Sequence, residues 1–210
     1  MESLILFALR PQFDASDLSA LSERLPVTWL DHARRHGNPD ARAASLLAYS
    51  LLLYGVRRML GDRALPSLSL GEHGKPFFSE GGLSFSITHT KNAVAVLLSR
   101  THKELGLDLE EIRPLRPSLT RKFASDVELA KIKSSHDGVA LWTQKEAVAK
   151  KTGIGLRGNL KSIPTEDTKT VTMNMGTIPA VLSVSPRTAF GEGMHPSEIT
   201  RAELLSLLTS

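Results

Sequence analysis

The sequence predicts an α+β fold made of two related halves. A long helical stretch precedes two predicted strands, the first with alternating apolar and polar residues and the second an apolar run, and a strand, a helix and further strands follow beyond residue 100. Helices and strands that do not alternate regularly along the chain are typical of α+β proteins. We therefore expect an N-terminal half at residues 1–100, a C-terminal half at residues 101–186, and a C-terminal tail with a short helix at residues 187–210.

The first half is predicted to contain one long helix followed by a pair of strands. Asn38 suits the N-cap, Pro39 suits the first helical position, and the helical pattern continues until Gly61. In residues 83–88 every second residue is apolar, which indicates a half-buried strand. The apolar run at residues 93–98 is predicted to pair with that strand across a short turn.

The second half is predicted to centre on a strand at residues 104–110 and a helix that opens at Asp137. Leucines occupy alternate positions of that strand, so one face is apolar and the other carries glycine and acids. Residues 118–133 have the spacing of one or two helices. Residues 170–175 and 179–185 are predicted to be strands.

The bulk composition indicates a compact cytoplasmic protein. The 210 residues are 41% hydrophobic, enough for a core without covalent cross-links. The chain has no cysteine, which excludes disulfides and thiolate zinc sites and suits a reducing compartment. The N-terminal apolar run is too short for a signal peptide, and no stretch approaches the roughly 18 apolar residues of a membrane span.

The net charge of +4 indicates an anionic partner. Lys and Arg are spread along the chain and aromatic residues are few, so a nucleic-acid platform is the weaker interpretation. A polyphosphorylated cofactor or an acidic protein partner fits the charge as well.

Two acids on the predicted central strand are candidate metal ligands. Asp108 and Glu110 stand at i and i+2, so they point the same way with Cα atoms about 6.5–7 Å apart. Magnesium takes oxygen ligands, commonly carboxylates with water and substrate phosphate, and a cation would relieve the repulsion between two such acids. From spacing alone, a solvated strand face is the favoured interpretation.

Other polar residues are weaker candidates when each is taken alone. Glu146 and Lys150 are one helical turn apart and could act on a metal or a phosphate, although this spacing most often marks a surface ion pair. The turn at residues 88–90 offers two hydroxyls and an imidazole to a phosphate. The turn at residues 74–76 would let a ligand approach the backbone, and Arg42 could reach an anion at the helix N-terminus.

Taken together, these motifs resemble one family, the Sfp-type 4′-phosphopantetheinyl transferases, and above all the compact bacterial enzymes that load acyl carrier proteins. The resemblance runs from Arg42 to Leu156. It is carried by four motifs in order: G-K-P at residues 74–76, F-S-I-T-H-T at 85–90, G-L-D-L-E at 106–110, and W-T-Q-K-E-A at 142–147, followed by Lys150 and the G-I-G-L of 153–156.

The resemblance implies an activity and a fold. Such enzymes move the 4′-phosphopantetheine arm of coenzyme A to a serine of an apo acyl, peptidyl or polyketide carrier protein. They depend on Mg²⁺ and release adenosine 3′,5′-bisphosphate. Their fold has two similar α+β halves related by a pseudo-two-fold axis, with the active site at the junction. We expect a monomer, because both halves lie in one chain.

The resemblance also implies roles for individual residues. Asp108, Glu110 and Glu146 are expected to bind the metal, and Asp108, Glu146 and Lys150 to be catalytic, with Glu146 helping to deprotonate the carrier serine. The residues expected to bind coenzyme A are Arg42, Lys75, Pro76, Thr88, His89, Asp108 and Lys150. Three positions depart from the family pattern: threonines flank His89, Ser86 replaces an asparagine, and Tyr49 replaces a common arginine.

The carrier is expected to dock on a basic segment at residues 119–133. Its basic side chains could meet the acidic helix of a carrier, and Phe123 could meet an apolar side chain. Two other interpretations stay open at this point. One is a degenerate transferase that binds coenzyme A or carriers without transfer, and the other is a basic nucleic-acid binder.

Overall fold

The computed structural model describes residues 2–80, 82–153, 155 and 159–208. The strands in this part are β1 (Ser3–Leu9), β2 (Leu68–Leu70), β3 (Pro76–Phe78), β4 (Ser84–His89), β5 (Ala93–Ser99), β6 (Gly106–Glu111), β7 (Lys169–Met175), β8 (Ile178–Ser185) and β9 (Ser197–Glu198). The α-helices are α1 (Ala15–Ser22), α2 (Val27–Arg34), α3 (Pro39–Leu60), α4 (Pro117–Phe123), α5 (Asp126–Lys131), α6 (Ser135–Thr152) and α7 (Arg201–Leu205).

Two main sheets make this a mixed α+β protein, as predicted. The first has the strand order β4-β5-β1-β9 and the second the order β6-β8-β7, while β2 and β3 form a separate hairpin. In both main sheets the pairs are antiparallel except that of β1 with β9. A pseudo-two-fold axis between the halves remains a prediction.

Strand β1 was missing from the sequence prediction. It pairs with β5 along its whole length, from Ser3 opposite Ser99 to Leu9 opposite Ala93. Its middle residues are all buried because one face packs toward α3 and the other toward the second sheet. A strand that is covered on both faces reads as a continuous apolar run, so it lacks the alternation that identified β4.

The long helix α3 confirms the prediction for the first half. The Asn38 side chain accepts hydrogen bonds from the backbone of Asp40 and Ala41, and Gly61 ends the helix with a φ of 63°. Its apolar face covers one side of the first sheet. Arg10 bonds both to the start of α3 and to the turn that joins β4 to β5, so it holds the two side by side.

Two apolar cores lie on the two faces of the first sheet. The core under α3 contains Leu52, Val96 and Leu98, whereas the opposite face of the same strands contributes Ile5 and Leu97 to a second core. Leu107 and Leu109 of β6, together with Leu105 just before the strand, complete this second core. The two sheets therefore share one apolar layer, and the acid-bearing face of β6 is turned to α6.

Helix α6 crosses β6 at very short range because residue 106 is glycine. A Cβ built on Gly106 would lie 1.7 Å from the Ala147 carbonyl oxygen, so no other residue fits without moving the helix. At the start of α6, Ser134 and Asp137 form a reciprocal capping box, and Gly153 ends the helix with a φ of 74°. This close crossing brings the acids of β6 toward those of α6.

The end of the described chain returns to the first half. β9 pairs with β1. The core under α3 also contains Ile199, Leu204 and Leu207, and α7 begins at Arg201. The predicted short terminal helix is confirmed at α7. None of the helices that the structure describes is long and apolar enough to cross a membrane.

Candidate active site

Two of the predicted site residues, Lys150 and Thr88, meet at a third, Asp108. Its carboxylate lies on β6 with 7% of the side chain exposed, and the Lys150 ammonium on α6 is 2.6 Å from Oδ1. Thr88, at the end of β4, donates from Oγ1 to the same oxygen at 3.0 Å and accepts from Lys150 Nζ at 3.1 Å. Strand, helix and neighbouring sheet thus converge on one carboxylate oxygen.

The second oxygen of Asp108 is available for a further partner. Oδ2 is buried and has no hydrogen-bond partner among the residues that the structure describes. A buried charged oxygen without a partner costs free energy, so it favours any donor or cation that can reach it. Because Oδ1 is already bound by Lys150 and Thr88, the orientation of the free oxygen is fixed in advance.

Glu110 and Glu146 interact electrostatically with Asp108. Burial raises the pKa of Glu146 to about 7, and the negative charge of Asp108 adds to this effect while Lys150 opposes it. Burial and the charge of Asp108 also raise the pKa of Glu110, against the hydrogen bond that Trp142 donates to it. All three carboxylates therefore lie in one field, where a cation would stabilise their ionised forms.

These three acids fit a hard cation chemically, although they do not yet surround one point. Among the described residues, no group of three His, Asp or Glu side chains is arranged closely enough to hold a metal ion. The donor set is nevertheless all oxygen, it includes the unpartnered Oδ2 of Asp108, and its charges repel one another. Such a set suits Mg²⁺, which takes a few carboxylate oxygens together with water and phosphate.

Positive charges collect at the end of β4 next to Asp108. Burial lowers the pKa of His89, and the charges of Lys150, Arg10 and His36 lower it further. Arg42, near the start of α3, donates to the backbone oxygens of residues 36 and 37, in the loop whose His36 acts on His89. This concentration of cations suits a polyanionic ligand.

Arg10 joins the β4–β5 turn to the start of α3, and sequence reasoning did not single it out. One of its terminal nitrogens donates to the carbonyl oxygens of Thr90 and Lys91, both at 3.0 Å, and the other lies 2.5 Å from Asp40 Oδ1. The arginine follows directly after β1, which was itself missed. Arg10 thereby sets where His89 stands relative to α3.

A cavity of about 280 Å³ lies beside Lys150 and is lined by β3, β4 and α6. Pro76, Ile87 and Ala149 give it apolar walls. A larger groove of about 710 Å³ adjoins it and shares Lys75 and Phe85 as lining. None of the three acids lines either space, but Lys150, which binds Asp108, lines the smaller one and not the groove. The smaller cavity is therefore the part of the cleft nearest the chemistry.

Lys75, just before β3, links the β2–β3 hairpin to the start of β6 and the end of α6 through its ammonium group. Its Nζ donates to the backbone oxygens of Leu105 at 2.9 Å and of Lys151 at 3.1 Å, and burial lowers its pKa. Its ammonium is therefore already paired with protein oxygens, while Lys75 and Pro76 both line the smaller cavity. Leu156, at the end of the last motif, lies outside the described residues.

The comparisons with known proteins agree with the motifs. A family model described as the 4'-phosphopantetheinyl transferase superfamily matches residues 104–188. The 4'-phosphopantetheinyl transferase AcpT of Salmonella typhimurium is 36% identical over 153 residues, which cover 69% of this chain and 70% of the relative. The chain belongs to the 4'-phosphopantetheinyl transferase superfamily. The predicted resemblance is thus confirmed at the level of this superfamily, and the protein is a transferase enzyme.

Two more distant relatives of the transferase carry related names. The L-aminoadipate-semialdehyde dehydrogenase-phosphopantetheinyl transferase of Candida glabrata is 28% identical over 152 residues, covering 66% of this chain and 58% of the relative. The 4'-phosphopantetheinyl transferase of Bacillus subtilis is 26% identical over 132 residues, covering 60% and 54%.

The three departures from the family pattern have distinct places in the transferase. The Oγ of Ser86 accepts a hydrogen bond from the backbone of Leu107 at 3.0 Å, so it links β4 to β6. Tyr49 is 6% exposed, and burial raises its pKa to about 12, so this position belongs to the core. Thr88 replaces a serine and retains the hydroxyl that binds Asp108.

The expectation that Phe123 contacts a carrier is wrong. Phe123 is fully buried, and its ring packs edge-on against Trp142 with 5.0 Å between the centroids. Val127, 67% exposed on α5, is the apolar side chain that this surface offers instead. The basic residues of the predicted docking region are exposed: Arg121, Lys122, Lys131 and Lys133.

Proposed function

We propose that this transferase moves the 4′-phosphopantetheine arm of coenzyme A to a serine of an apo carrier protein and releases adenosine 3′,5′-bisphosphate. The observation that carries the proposal is the half-bound Asp108 carboxylate: one oxygen is held by Lys150 and Thr88, and the other is buried without a described partner. The names of the relatives, above all that of the Salmonella typhimurium enzyme, support the same reaction.

We infer that the enzyme is of the Sfp type, with similar halves at residues 1–100 and 101–186 and the active site at their junction. The contacts of Asp108 support this, because Thr88 comes from the first half and Lys150 from the second. Residues 187–210 are a tail in this scheme. One chain then supplies the whole site, so we propose a monomer, acting in the cytoplasm where coenzyme A and carrier proteins meet.

We propose that Asp108, Glu110 and Glu146 hold a magnesium ion when coenzyme A is bound. The ion would supply charge neutralisation to the pyrophosphate and to the acids themselves. Asp108 is pre-oriented for this role by its bonds to Lys150 and Thr88. The Trp142 indole donates to Glu110 at 3.3 Å and so holds the second acid.

The proposed chemical step uses Glu146 as the proton acceptor. The serine oxygen attacks the phosphorus that bears the pantetheine arm, its proton passes to Glu146 directly or through water, and the bond from that phosphorus to the bridging oxygen breaks. A carboxyl with a pKa of about 7 is partly ionised at neutral pH, which suits a general base. Lys150, beside it on α6, would stabilise the charge that develops on the leaving phosphate.

The remaining residues are proposed to bind coenzyme A. His89 stands at the end of β4, where its ring can donate to phosphate oxygens. Thr88 would donate to them once its hydroxyl leaves Asp108, and Arg42 would add charge from the start of α3. Pro76 and the methylene groups of Lys75 would line the cavity for the adenine end. In this arrangement the charged part of the cofactor meets the cations and its base meets the apolar walls.

We propose that the carrier docks on residues 119–133, the carrier-docking segment. Its exposed lysines and arginine would meet the acids of the carrier, and Val127 would offer an apolar contact. In this proposal the docking surface, and not the three acids of the site, determines which carrier the enzyme accepts.

The test is transfer to a panel of apo carrier proteins from fatty-acid, polyketide and peptide synthesis. Purified enzyme, Mg²⁺ and coenzyme A should add the mass of one phosphopantetheine arm to at least one carrier, and a carrier whose serine is replaced by alanine should gain none. Coenzyme A binding by calorimetry without any mass gain across the panel would instead indicate a binding protein that does not transfer.

A further inference from the structure

Lys145 is a buried cation whose role the proposed mechanism does not use. It is 1% exposed and lies on α6, one position before Glu146. Its ammonium is 2.9 Å from Glu128 Oε1 and also donates to the backbone oxygens of Leu160 at 2.9 Å and Lys161 at 3.3 Å. Three donors thus meet carboxylate and carbonyl oxygens, and the buried charge is fully paired.

Glu128 also organises the carrier-docking segment. Its Oε2 accepts from the backbone of Ser125 at 2.7 Å, and the Ser125 hydroxyl accepts in return from the backbone of Glu128. This capping box begins α5. One carboxylate therefore both starts the helix that bears Val127 and binds the catalytic helix through Lys145.

A second contact connects the same segment to the acids. Phe123, at the end of α4, packs against Trp142, and the Trp142 indole donates to Glu110. The carrier-docking segment is thus attached beside Glu146 through Lys145 and to Glu110 through Trp142. Neither attachment contacts the cavity beside Lys150.

We infer that the Lys145–Glu128 pair is a positioning device that fixes the carrier-docking segment relative to Glu146. The inference rests on the proposed function, because it concerns where a docked carrier presents its serine. The serine oxygen must come within hydrogen-bond reach of its base, and a misplacement of about 1 Å can cost on the order of a hundredfold in rate. A rigid link between the docking surface and the helix of Glu146 meets that requirement.

Stability alone gives a weak reason for such a pair. Replacing a buried ion pair with neutral side chains of similar size is often neutral or stabilising, whereas removing one partner leaves a charge uncompensated. The hydrogen bonds of the Lys145–Glu128 pair have fixed directions, so they specify one arrangement of α5, α6 and the backbone at Leu160. A pair of neutral side chains can restore the stability of the fold without restoring the fixed arrangement of α5 and α6. The stabilising role and the positioning role can therefore be distinguished by experiment.

The test compares two double variants in which a capping-box acid and its cation are neutralised. Lys145→Met with Glu128→Gln removes the pair but leaves an amide oxygen to accept from Ser125. The control is Asp17→Asn with Arg201→Met. Asp17 is likewise the N3 acid of a capping box, in the first turn of α1, and its carboxylate is 2.6 Å from Arg201. Helix α1 packs mainly on α3.

The Lys145/Glu128 variant should lose about tenfold in kcat/KM for the carrier, while its Kd for coenzyme A stays equal to that of the control variant. Amide hydrogen exchange in residues 125–131 should become faster in this variant and stay unchanged in the control. If kcat/KM and exchange both match the control, the pair is only structural and the inference is overturned.

Two other outcomes also have a defined interpretation. If the double variant does not fold, Glu128→Gln alone retains the carbonyl partners of Lys145 and should show the same losses, reduced to about threefold. If wild-type enzyme modifies no carrier on the panel, the proposed function fails. The exchange measurement then still decides whether Lys145 and Glu128 order α5.

Discussion

Adding one methyl group at Gly106 should disable this transferase without touching any of its polar groups. In Gly106→Ala the new Cβ would lie 1.7 Å from the carbonyl oxygen of Ala147, and contacts of Cβ atoms below 3.0 Å essentially do not occur. The obstacle is the backbone of α6, which cannot rotate away as a side chain would. The helix must therefore move from β6 by more than an ångström.

The displacement acts directly on the site, because α6 carries Lys150 and Glu146 while β6 carries Asp108. The 2.6 Å contact between Lys150 and Asp108 would be broken. Overpacking of this kind costs about 1–3 kcal/mol of unfolding free energy, and a misplacement of this size costs about a hundredfold in rate. We expect a folded enzyme with a lowered denaturation midpoint and kcat reduced by about that factor.

A glycine of α6 itself, Gly138, supplies the control. In Gly138→Ala the new Cβ would meet Leu115 Cδ1 at 3.5 Å, an ordinary contact, and a helical alanine is about 1 kcal/mol more favourable than glycine. Urea unfolding and carrier modification followed by mass spectrometry measure both variants. If Gly106→Ala keeps the stability and kcat of Gly138→Ala, the close crossing of α6 and β6 does not set the geometry of the site.

Three further predictions follow from charges at the site and on the docking surface. Asp108→Asn should abolish carrier modification and change urea stability little, because relief of carboxylate repulsion offsets the lost ion pair; full activity would exclude Asp108 from metal binding. The raised pKa of Glu146 means that the folded enzyme binds an extra proton between about pH 4.5 and 7, so its contribution to stability is present below pH 4.5 and is lost as the pH rises through 7. In metal-free protein, Glu146→Gln should remove this decline, on the order of 3 kcal/mol, from the pH dependence of the free energy of unfolding, and identical wild-type and variant profiles would contradict it. Charge reversal at Lys131 and Lys133 should raise the KM for the carrier about tenfold and leave the KM for coenzyme A unchanged, whereas reversal at exposed Lys169 should alter neither; equal effects would place docking elsewhere.

Local chemistry in the sequence was sufficient to predict several elements. Asn38 and Gly61 bound α3 because a capping side chain and a glycine act within a few residues of the helix ends. Alternation in β6 correctly separated Leu107 from Asp108, because a strand turns successive side chains to opposite faces. The order of four motifs indicated the family, which the match at residues 104–188 and the relatives confirm.

Other features depend on contacts between residues that are distant in the chain. β1 gives no alternation because both of its faces are covered, and only the folded protein shows that Lys75 binds backbone oxygens or that Phe123 is buried under Trp142. The sequence alone could not show that Lys150 binds Asp108, since their positions are set by how closely α6 crosses β6.

For the acids themselves, the sequence by itself determined that Asp108 and Glu110 share a strand face, because side-chain direction along a strand is a local property. Only the tertiary structure decided that Glu146 lies in their field with its pKa raised to about 7. The reason is that burial and the charge of Asp108 act through space, and they reach Glu146 only because Gly106 leaves room for the helix.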